Sequence, residues 1–485
     1  MTNPTFSKKH LIKKSDDISE WYHDVVLRAG LAEYSDVKGC MIIKPNGYAL
    51  WESVQKELDL WFKADGVKNV YFPLFIPMSL LQKEAEHLEG FSPELAVVDY
   101  AGGEKLHEPL AIRPTSETIM YKTFAGWVQS HRDLPLKVNQ WCNVVRWEKR
   151  TYPFLRTSEF LWQEGHTVHK NAEEADAMAQ KALGWYQKFY EEYFALSPYV
   201  GIKSETEKFA GAKRTYSVEL VMPDGKALQA ATSHDLGDNF AKVFGIEYLD
   251  ENNQKQLGHQ TSWGLSTRSI GGLVLTHGDD AGLVLPPKVA PTQVVIVVIG
   301  NKQDAENPVE PFANEIAKEL RVQGLRVVVD TSYNNSLGRR INDWELEGVP
   351  LRLEIGAKEM EQNQATAVRR DTFEKQTIER TGIVETVVGQ LNAIQASLLQ
   401  KSKQLKEDKT KEVDSFEEFS KAMDSDKMFI RAYWCESLEC EKKIKDVTKA
   451  TPRVLELENI EEQADMKCIQ CGASAKRRWL FAQSY

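Results

Sequence analysis

Arg146-Trp147-Glu148-Lys149-Arg150-Thr151-Tyr152-Pro153-Phe154-Leu155-Arg156-Thr157-Ser158-Glu159-Phe160 is the stretch on which the reading of this chain turns. Apolar and β-branched residues precede and follow it, so two strands are predicted with a turn between them. Arg146 and Arg156 flank that turn. A guanidinium is a planar fork of donors that matches a phosphate or a carboxylate. Two such forks on one hairpin suit an α-phosphate and the flank of a purine. The same residues equally suit a surface hairpin whose arginines pair with Glu148 and Glu159.

A second stretch, Gly264-Leu265-Ser266-Thr267-Arg268-Ser269-Ile270-Gly271-Gly272, reads as a strand passing into a helix. Glycine lets the backbone approach a ligand, and a helix N-terminus favours an anion. The structural alternative is a tight turn with an exposed arginine. Upstream, Leu50, Val54, Leu58 and Phe62 recur at helical spacing, and Asn69 to Pro77 follows as an extended segment. Pro73 and Pro77 each lack a donor, which places that segment at a sheet edge or an interface.

Taken together and in order, these segments resemble the signature motifs of class II aminoacyl-tRNA synthetases. Arg146 to Phe160 is similar to the second motif and Gly264 to Gly272 to the third. The helix leading to Asn69–Pro73 is similar to the first, whose proline lies at the dimer interface in that family. Arg113-Pro114-Thr115-Ser116-Glu117, Phe160-Leu161-Trp162-Gln163-Glu164-Gly165-His166 and Gln229-Ala230-Ala231-Thr232-Ser233-His234 narrow the resemblance. They look like prolyl-tRNA synthetases of the type shared by archaea, eukaryotic cytoplasm and some bacteria. The likeness runs over nearly the whole chain. It implies a catalytic domain with an antiparallel sheet flanked by helices, an α/β anticodon-binding domain, and a small zinc-binding domain.

The resemblance also implies the chemistry. A proline carboxylate attacks the α-phosphate of ATP to give prolyl-adenylate and pyrophosphate, and proline then moves to the terminal adenosine of tRNA(Pro). The attacking group is already an anion, so the first step needs positioning and charge stabilisation, with no general base. Arginines and Mg2+ suit that task. By resemblance Arg146 bridges the carboxylate and the α-phosphate, and Arg268 holds the γ-phosphate. Trp147, Glu148, Arg156, Thr157, Gln229, Thr232 and Ser266 complete the ATP contacts. Thr115, Glu117 and Glu164 suit a charged secondary amine; Trp162 and Phe209 suit a flat ring; His166, His234 and Ser262 add to the proline pocket. Each keeps a plain structural reading. Thr115 or Ser116 also fits a helix cap, and Trp162 and Phe209 also fit a core.

Pro286-Pro287 and Pro291 break the chain, and strands alternate with helices beyond them. The expected division is a catalytic domain over 1–288, an anticodon-binding domain over 289–396 and a zinc-binding domain over 397–485. Lys401 to Glu412 reads as a solvated helix end or linker. By resemblance Glu345, Arg352 and Lys358 read anticodon bases; arginine and lysine suit guanine acceptor edges, and a carboxylate accepts from base amino groups.

Cys435 and Cys440 enclose four residues, Cys468 and Cys471 enclose two, and 27 residues separate the pairs. That grouping suits a structural, tetrahedral Zn2+ closed by four protein ligands; the alternative is four unrelated thiols. Cys40 and Cys142 stand apart and read as buried thiols.

Composition agrees. The 485 residues suggest two to four domains; they are 42% hydrophobic and 27% charged, and carry a net charge of −10. An acidic balance excludes a protein that coats duplexes by bulk charge, so contact with tRNA must be local. Six cysteines in so long a chain form no disulfide framework. No signal sequence or membrane-length apolar run is apparent, and a cytoplasmic homodimer is expected. Only 107 residues, 157–263, lie between Arg156 and Gly264, too few to include a large editing insertion there. A sibling synthetase for threonine, serine or glycine, or a non-catalytic tRNA-binding or regulatory relative, are the competing readings. Retention of both Arg146 and Arg268 disfavours the second.

Overall fold

The computed structural model describes residues 11–87, 94–300, 308–425, 427–462 and 466–485. Strands with period-two patterning build an eleven-stranded sheet. Its order is Thr410–Glu412, Phe429–Trp434, Arg477–Ala482, Thr451–Glu456, Tyr199–Ile202, Arg214–Val221, Ala227–Gly237, His259–Ser266, Glu159–His169, Leu136–Val145, Lys68–Asn69. The central pairs are antiparallel; only the outermost strand at each edge runs parallel to its neighbour.

The long helix Ala172–Glu192 and the helix Pro45–Ala64 join one large core with the inner strands. Leu50, Val54, Leu58 and Phe62 are all buried there, as their spacing predicts. Gly165 is needed on the Glu159–His169 strand because a Cβ would sit 2.0 Å from the Trp263 ring. Lys68–Asn69 takes the sheet edge beside Leu136–Val145, and the proline-bearing segment beyond it leaves Tyr71 73% exposed.

A second sheet holds Val327–Asp330, Val294–Val298, Leu351–Ile355, Gln364–Arg369 and Lys375–Glu379, in that order. Its first two pairings are parallel and the rest antiparallel, which is the mixed sheet expected of the α/β unit. The Ile383–Asp408 helix buries Ile383, Val387, Leu391, Ile394 and Leu398 against it. That helix runs through position 396 and covers most of the stretch read as solvated. Beyond it Thr410–Glu412 is a strand, so the segment ends by pairing into the large sheet.

The chain's last strands extend the first sheet. Leu455 faces Ile202 and Glu456 faces Gly201 across the junction. A Cβ on Gly201 would lie 2.2 Å from the Leu455 carbonyl oxygen, so only glycine allows this approach.

Candidate active site

Register places the site on one face of the large sheet. On Glu159–His169, residues Trp162, Glu164 and His166 alternate and so point the same way. Across the next strand they face Ser266, Gly264 and Ser262. One strand further, Thr232 faces Gly264 and His234 faces Ser262. These residues line a cavity of about 460 Å³, together with Pro114, Thr115, Glu117, Arg146, Phe209, Gln229 and Arg268.

Thr115 and Glu117 enter from a separate segment that Arg113 anchors. Its buried guanidinium donates to the carbonyls of Phe72 and Asn143, each at 2.8 Å. Ser116 occupies the N-cap position of the Glu117–Trp127 helix, yet its hydroxyl makes no cap. It donates to Glu164 instead, and Thr115 donates to Glu117. Glu164 also accepts from Gln140 Nε2 at 3.0 Å.

His166 Nε2 meets Glu164 at 3.1 Å, and its Nδ1 meets the Tyr121 hydroxyl at 3.1 Å. Burial alone would raise the Glu164 carboxyl, but hydrogen bonding and charge from His166, with Ser116 and Gln140, hold it below the usual range. Burial alone would lower His166, but Glu164 and Glu117 raise it. Each partner thus favours the charged form of the other. Burial beside His166 pushes His234 down to about 3, so it stays neutral, with Nδ1 2.9 Å from the Thr215 hydroxyl.

The two arginines are held by backbone. Arg146 Nε donates to Pro114 O at 3.0 Å, and its guanidinium lies 5.3 Å from the Trp162 ring centre and 5.6 Å from that of Phe160. Arg268 Nε donates to Leu155 O at 2.9 Å and its Nη1 to Gln229 O at 3.5 Å. Among the described residues, no hydrogen-bond partner engages either terminal nitrogen of Arg146. Burial lowers both guanidinium pKa values. Such a fork is prepared for an anion.

Four expected ATP residues lie beside the cavity and do not line it. Arg156 Nε donates to Glu148 at 2.7 Å, the pairing that the surface-hairpin reading predicts. Trp147 is 51% exposed, and Thr157 is buried. Cys142 is half-buried, not deeply buried; its thiol accepts from Trp162 Nε1 at 3.2 Å, and burial pushes it up to about 12. Cys40 is half-buried too. The cavity also gathers residues the sequence reading did not single out: Glu207, Ala210, Thr215 and Trp263. Period-two alternation unites Ser262, Gly264 and Ser266 but does not reach Glu207, which sits on a loop.

Glu345, Arg352 and Lys358 lie on the second sheet and its helices. Arg352 Nη1 meets Glu345 at 3.1 Å and its Nε meets Glu354 at 2.9 Å, all three nearly buried; Lys358 is exposed. The sulfurs of Cys435, Cys440, Cys468 and Cys471 all lie within 4.8 Å of one another, and those of Cys435 and Cys471 are 3.8 Å apart. A Zn–S distance of about 2.3 Å sets tetrahedral S–S edges near 3.8 Å, so the four thiols fit zinc.

Residues 100–277 match the family model for the tRNA synthetase class II core domain (G, H, P, S and T), and residues 293–390 match an anticodon binding domain. With the cavity above, they define a class II aminoacyl-tRNA synthetase. Residues 416–485 match the prolyl-tRNA synthetase C-terminal domain. Proline--tRNA ligase from Ruminiclostridium cellulolyticum is 49% identical over 98% of both chains, and proline--tRNA ligase 2 from Clostridioides difficile is 48% identical over 98% of both. Prolyl-tRNA synthetase from Cryptosporidium parvum has been solved in complex with halofuginone and AMPPNP; at 42% identity it superposes with a TM-score of 0.94, covering 98% of this chain and 96% of that one. A second structure of that enzyme, with L-proline and AMP, gives 0.93. The chain belongs to the prolyl-tRNA synthetase family, in the type that carries this C-terminal domain, and is a proline--tRNA ligase.

Proposed function

We propose that the cavity binds L-proline at its Thr115, Glu117, Trp162, Glu164, His166, Phe209, His234 and Ser262 end and ATP toward Arg268. Arg146 stands between them. The observation that carries this assignment is the placement of Arg146, propped on Pro114 O between Phe160 and Trp162 with its terminal nitrogens open to the cavity. A fork there reaches both the proline carboxylate and the α-phosphate, and its charge is most useful as the phosphorus becomes five-coordinate. The carboxylate needs no deprotonation, so a neutral His234 is compatible with the step. Glu117 and Glu164 suit the secondary ammonium, and the Trp162 and Phe209 faces suit the ring.

Gln229, Thr232, Ser266 and Arg268 serve ATP, with Glu148, Arg156, Thr157 and Trp147 closing over the adenine from the hairpin. Mg2+ offsets phosphate charge when ATP is bound. Residues 1–288 form the catalytic unit, 289–396 the anticodon-reading unit and 397–485 the zinc unit, with one long helix spanning the second boundary. Cys435, Cys440, Cys468 and Cys471 hold a structural Zn2+, which supplies cohesion and no open coordination site. Glu345, Arg352 and Lys358 read the anticodon of tRNA(Pro). The exposed Tyr71 and Phe75 beside the edge strand suit a homodimer contact. Among the described residues no helix is long and apolar enough to cross a membrane. A reducing, cytoplasmic setting suits cysteines that all stand unpaired by disulfides.

Aminoacylation tests the assignment. Labelled proline should pass to a tRNA transcript with the proline anticodon, and charging should fall when anticodon bases are changed. Equal charging of every anticodon variant would contradict the role given to the second sheet.

A further inference from the structure

The cavity has a lip, residues 204–213, between the strands Tyr199–Ile202 and Arg214–Val221. It carries Glu207, Phe209 and Ala210, all facing the cavity. Turns fold it back on itself: Lys208 N donates to Ser204 O at 2.9 Å and Ala212 N to Phe209 O at 3.0 Å. Phe209 N donates to the Thr215 hydroxyl at 2.9 Å, and the Phe209 ring lies 4.7 Å from that of His234. Nothing in this short loop is a regular element; at its far end Lys213 N donates to Asp235 O at 2.8 Å and Asn239 Nδ2 to Gly211 O at 2.9 Å.

Two of the lip's side-chain contacts come from more than 230 residues away in sequence. Thr206 Oγ1 donates to Glu441, and Glu441 directly follows Cys440 on the Leu438–Thr448 helix. Arg453, on the strand Thr451–Glu456, donates to Glu219 through Nε at 3.1 Å and Nη2 at 3.0 Å. Its Nη1 lies 3.8 Å from Glu207. Glu219 also accepts from Lys203 Nζ at 2.7 Å and from the Ser217 hydroxyl at 2.8 Å. Lys203 and Glu219 are fully buried, and Arg453 nearly so. Lys203 immediately precedes the lip, so the buried cluster grips the loop at its root.

The energetics make this an obligate contact. A buried carboxylate that loses one cation is left under-compensated, so breaking such a pair is destabilising. Glu219 shares its burial with two cations, one from each part of the chain. Net positive charge is left over, and it faces Glu207 on the lip. A hydroxyl donating to a carboxylate, as Thr206 does to Glu441, is the stronger, charge-assisted kind of bond.

We propose that the C-terminal unit positions the proline pocket: Glu441 latches Thr206, and Arg453 ties Glu219 to Glu207, so that the lip presents Phe209 to the ring of the bound amino acid. Thr206, Glu441 and Arg453 are positioning residues that never touch substrate. The inference rests on the assignment of Phe209 to the proline end. A role beyond cohesion follows for the zinc unit, because the helix that carries Cys440 also carries the latch.

Pyrophosphate exchange with the full-length enzyme separates the possibilities. Thr206→Val should raise KM for proline by about tenfold, the size of a lost hydrogen bond to a charged group, and leave KM for ATP unchanged. Thr206→Ser should restore the proline KM. Zinc content and melting temperature should match wild type in both. In a Glu441→Ala background, Thr206→Val should add no further loss, because the pair acts as one unit. An unchanged proline KM in Thr206→Val overturns the proposal, as do equal rises for proline and ATP accompanied by a lowered melting temperature. Phe209→Ala is the control. If it raises KM for proline and Thr206→Val does not, the latch alone fails. If Phe209→Ala has no effect, the pocket assignment and the latch fall together.

Discussion

Two arginines, Arg146 just past the Leu136–Val145 strand and the buried Arg352 on the second sheet, are prepared in opposite ways. Arg146 leans on a backbone carbonyl and aromatic rings and, among the described residues, keeps its terminal nitrogens unengaged toward a cavity. Arg352 is already paired with Glu345 and Glu354. The first is set for a small anion that arrives in the cleft. There, a preorganised donor costs little to use at the moment of reaction. In the anticodon role proposed for it, the second would exchange carboxylate partners for base edges when tRNA docks. The Arg146 fork is therefore open in the free chain, whereas the proposed anticodon reader is already paired until a ligand competes. Activation of proline should need only the first region, and tRNA charging should need both.

The strongest way to break this comparison is at the phosphate end. Arg268→Ala should lower pyrophosphate exchange by about 10³-fold, since a buried donor to developing charge is lost. A variant retaining wild-type exchange would remove the ATP assignment. The limit of the pocket gives the next effect. Cysteine differs from proline by little apolar volume, and a methylene is worth only about 1–3 kcal/mol. Cysteine should be charged to tRNA(Pro) with kcat/KM lower by about 100-fold and should not be cleared by the pure enzyme. Prompt hydrolysis of Cys-tRNA would require a second site. The segment between Arg156 and Gly264 is already filled by core helix and inner strands.

Lys358→Ala sharpens the other side of the comparison. It is exposed and should lower tRNA charging about tenfold with exchange unchanged, as one lost base contact predicts. Loss of exchange would mean that the regions are not separable. The smallest effect concerns pH. His166 is raised above its ordinary 6.5, so its contribution to stability is full below 6.5 and is lost as pH climbs through the folded value. Glu164 is held below its ordinary 4.5, so its share is full above 4.5 and is lost as pH falls through the folded value. The pair contributes most between those limits. The melting-temperature difference between wild type and His166→Gln should be widest there and narrow toward alkaline pH. A flat difference would mean that His166 is not charged.

The class II core was legible in the sequence because the segments around Arg146 and Arg268 carry their meaning in their order along the chain. Glycine, arginine and strand-to-helix passages recur at set intervals, and the register that unites Trp162, Glu164 and His166 is plain alternation. The eleven-stranded sheet was not legible. Three successive units were expected, yet Thr451–Glu456 pairs with Tyr199–Ile202 across the fold. A two-residue pairing between distant segments leaves no periodic signal, and Gly201 reads like any loop glycine until Leu455 is placed against it. Glu207, Glu219, Glu441 and Arg453 were invisible for a related reason. A lone charge in a sequence resembles solvated surface, and only the fold shows that Arg453 meets Glu219 and Glu207 and that Glu441 meets Thr206. Ser116 carries the same lesson locally: it holds a cap position, and its hydroxyl is spent on Glu164.

The central claim is that proline activation belongs to the Arg146 cleft alone. Exchange of labelled pyrophosphate into ATP, driven by proline without tRNA, tests it most directly when wild type, Arg146→Ala and Arg352→Ala are run side by side. The account predicts exchange in wild type and Arg352→Ala and none in Arg146→Ala. Exchange that survives Arg146→Ala, or that responds to another amino acid and not to proline, would contradict it.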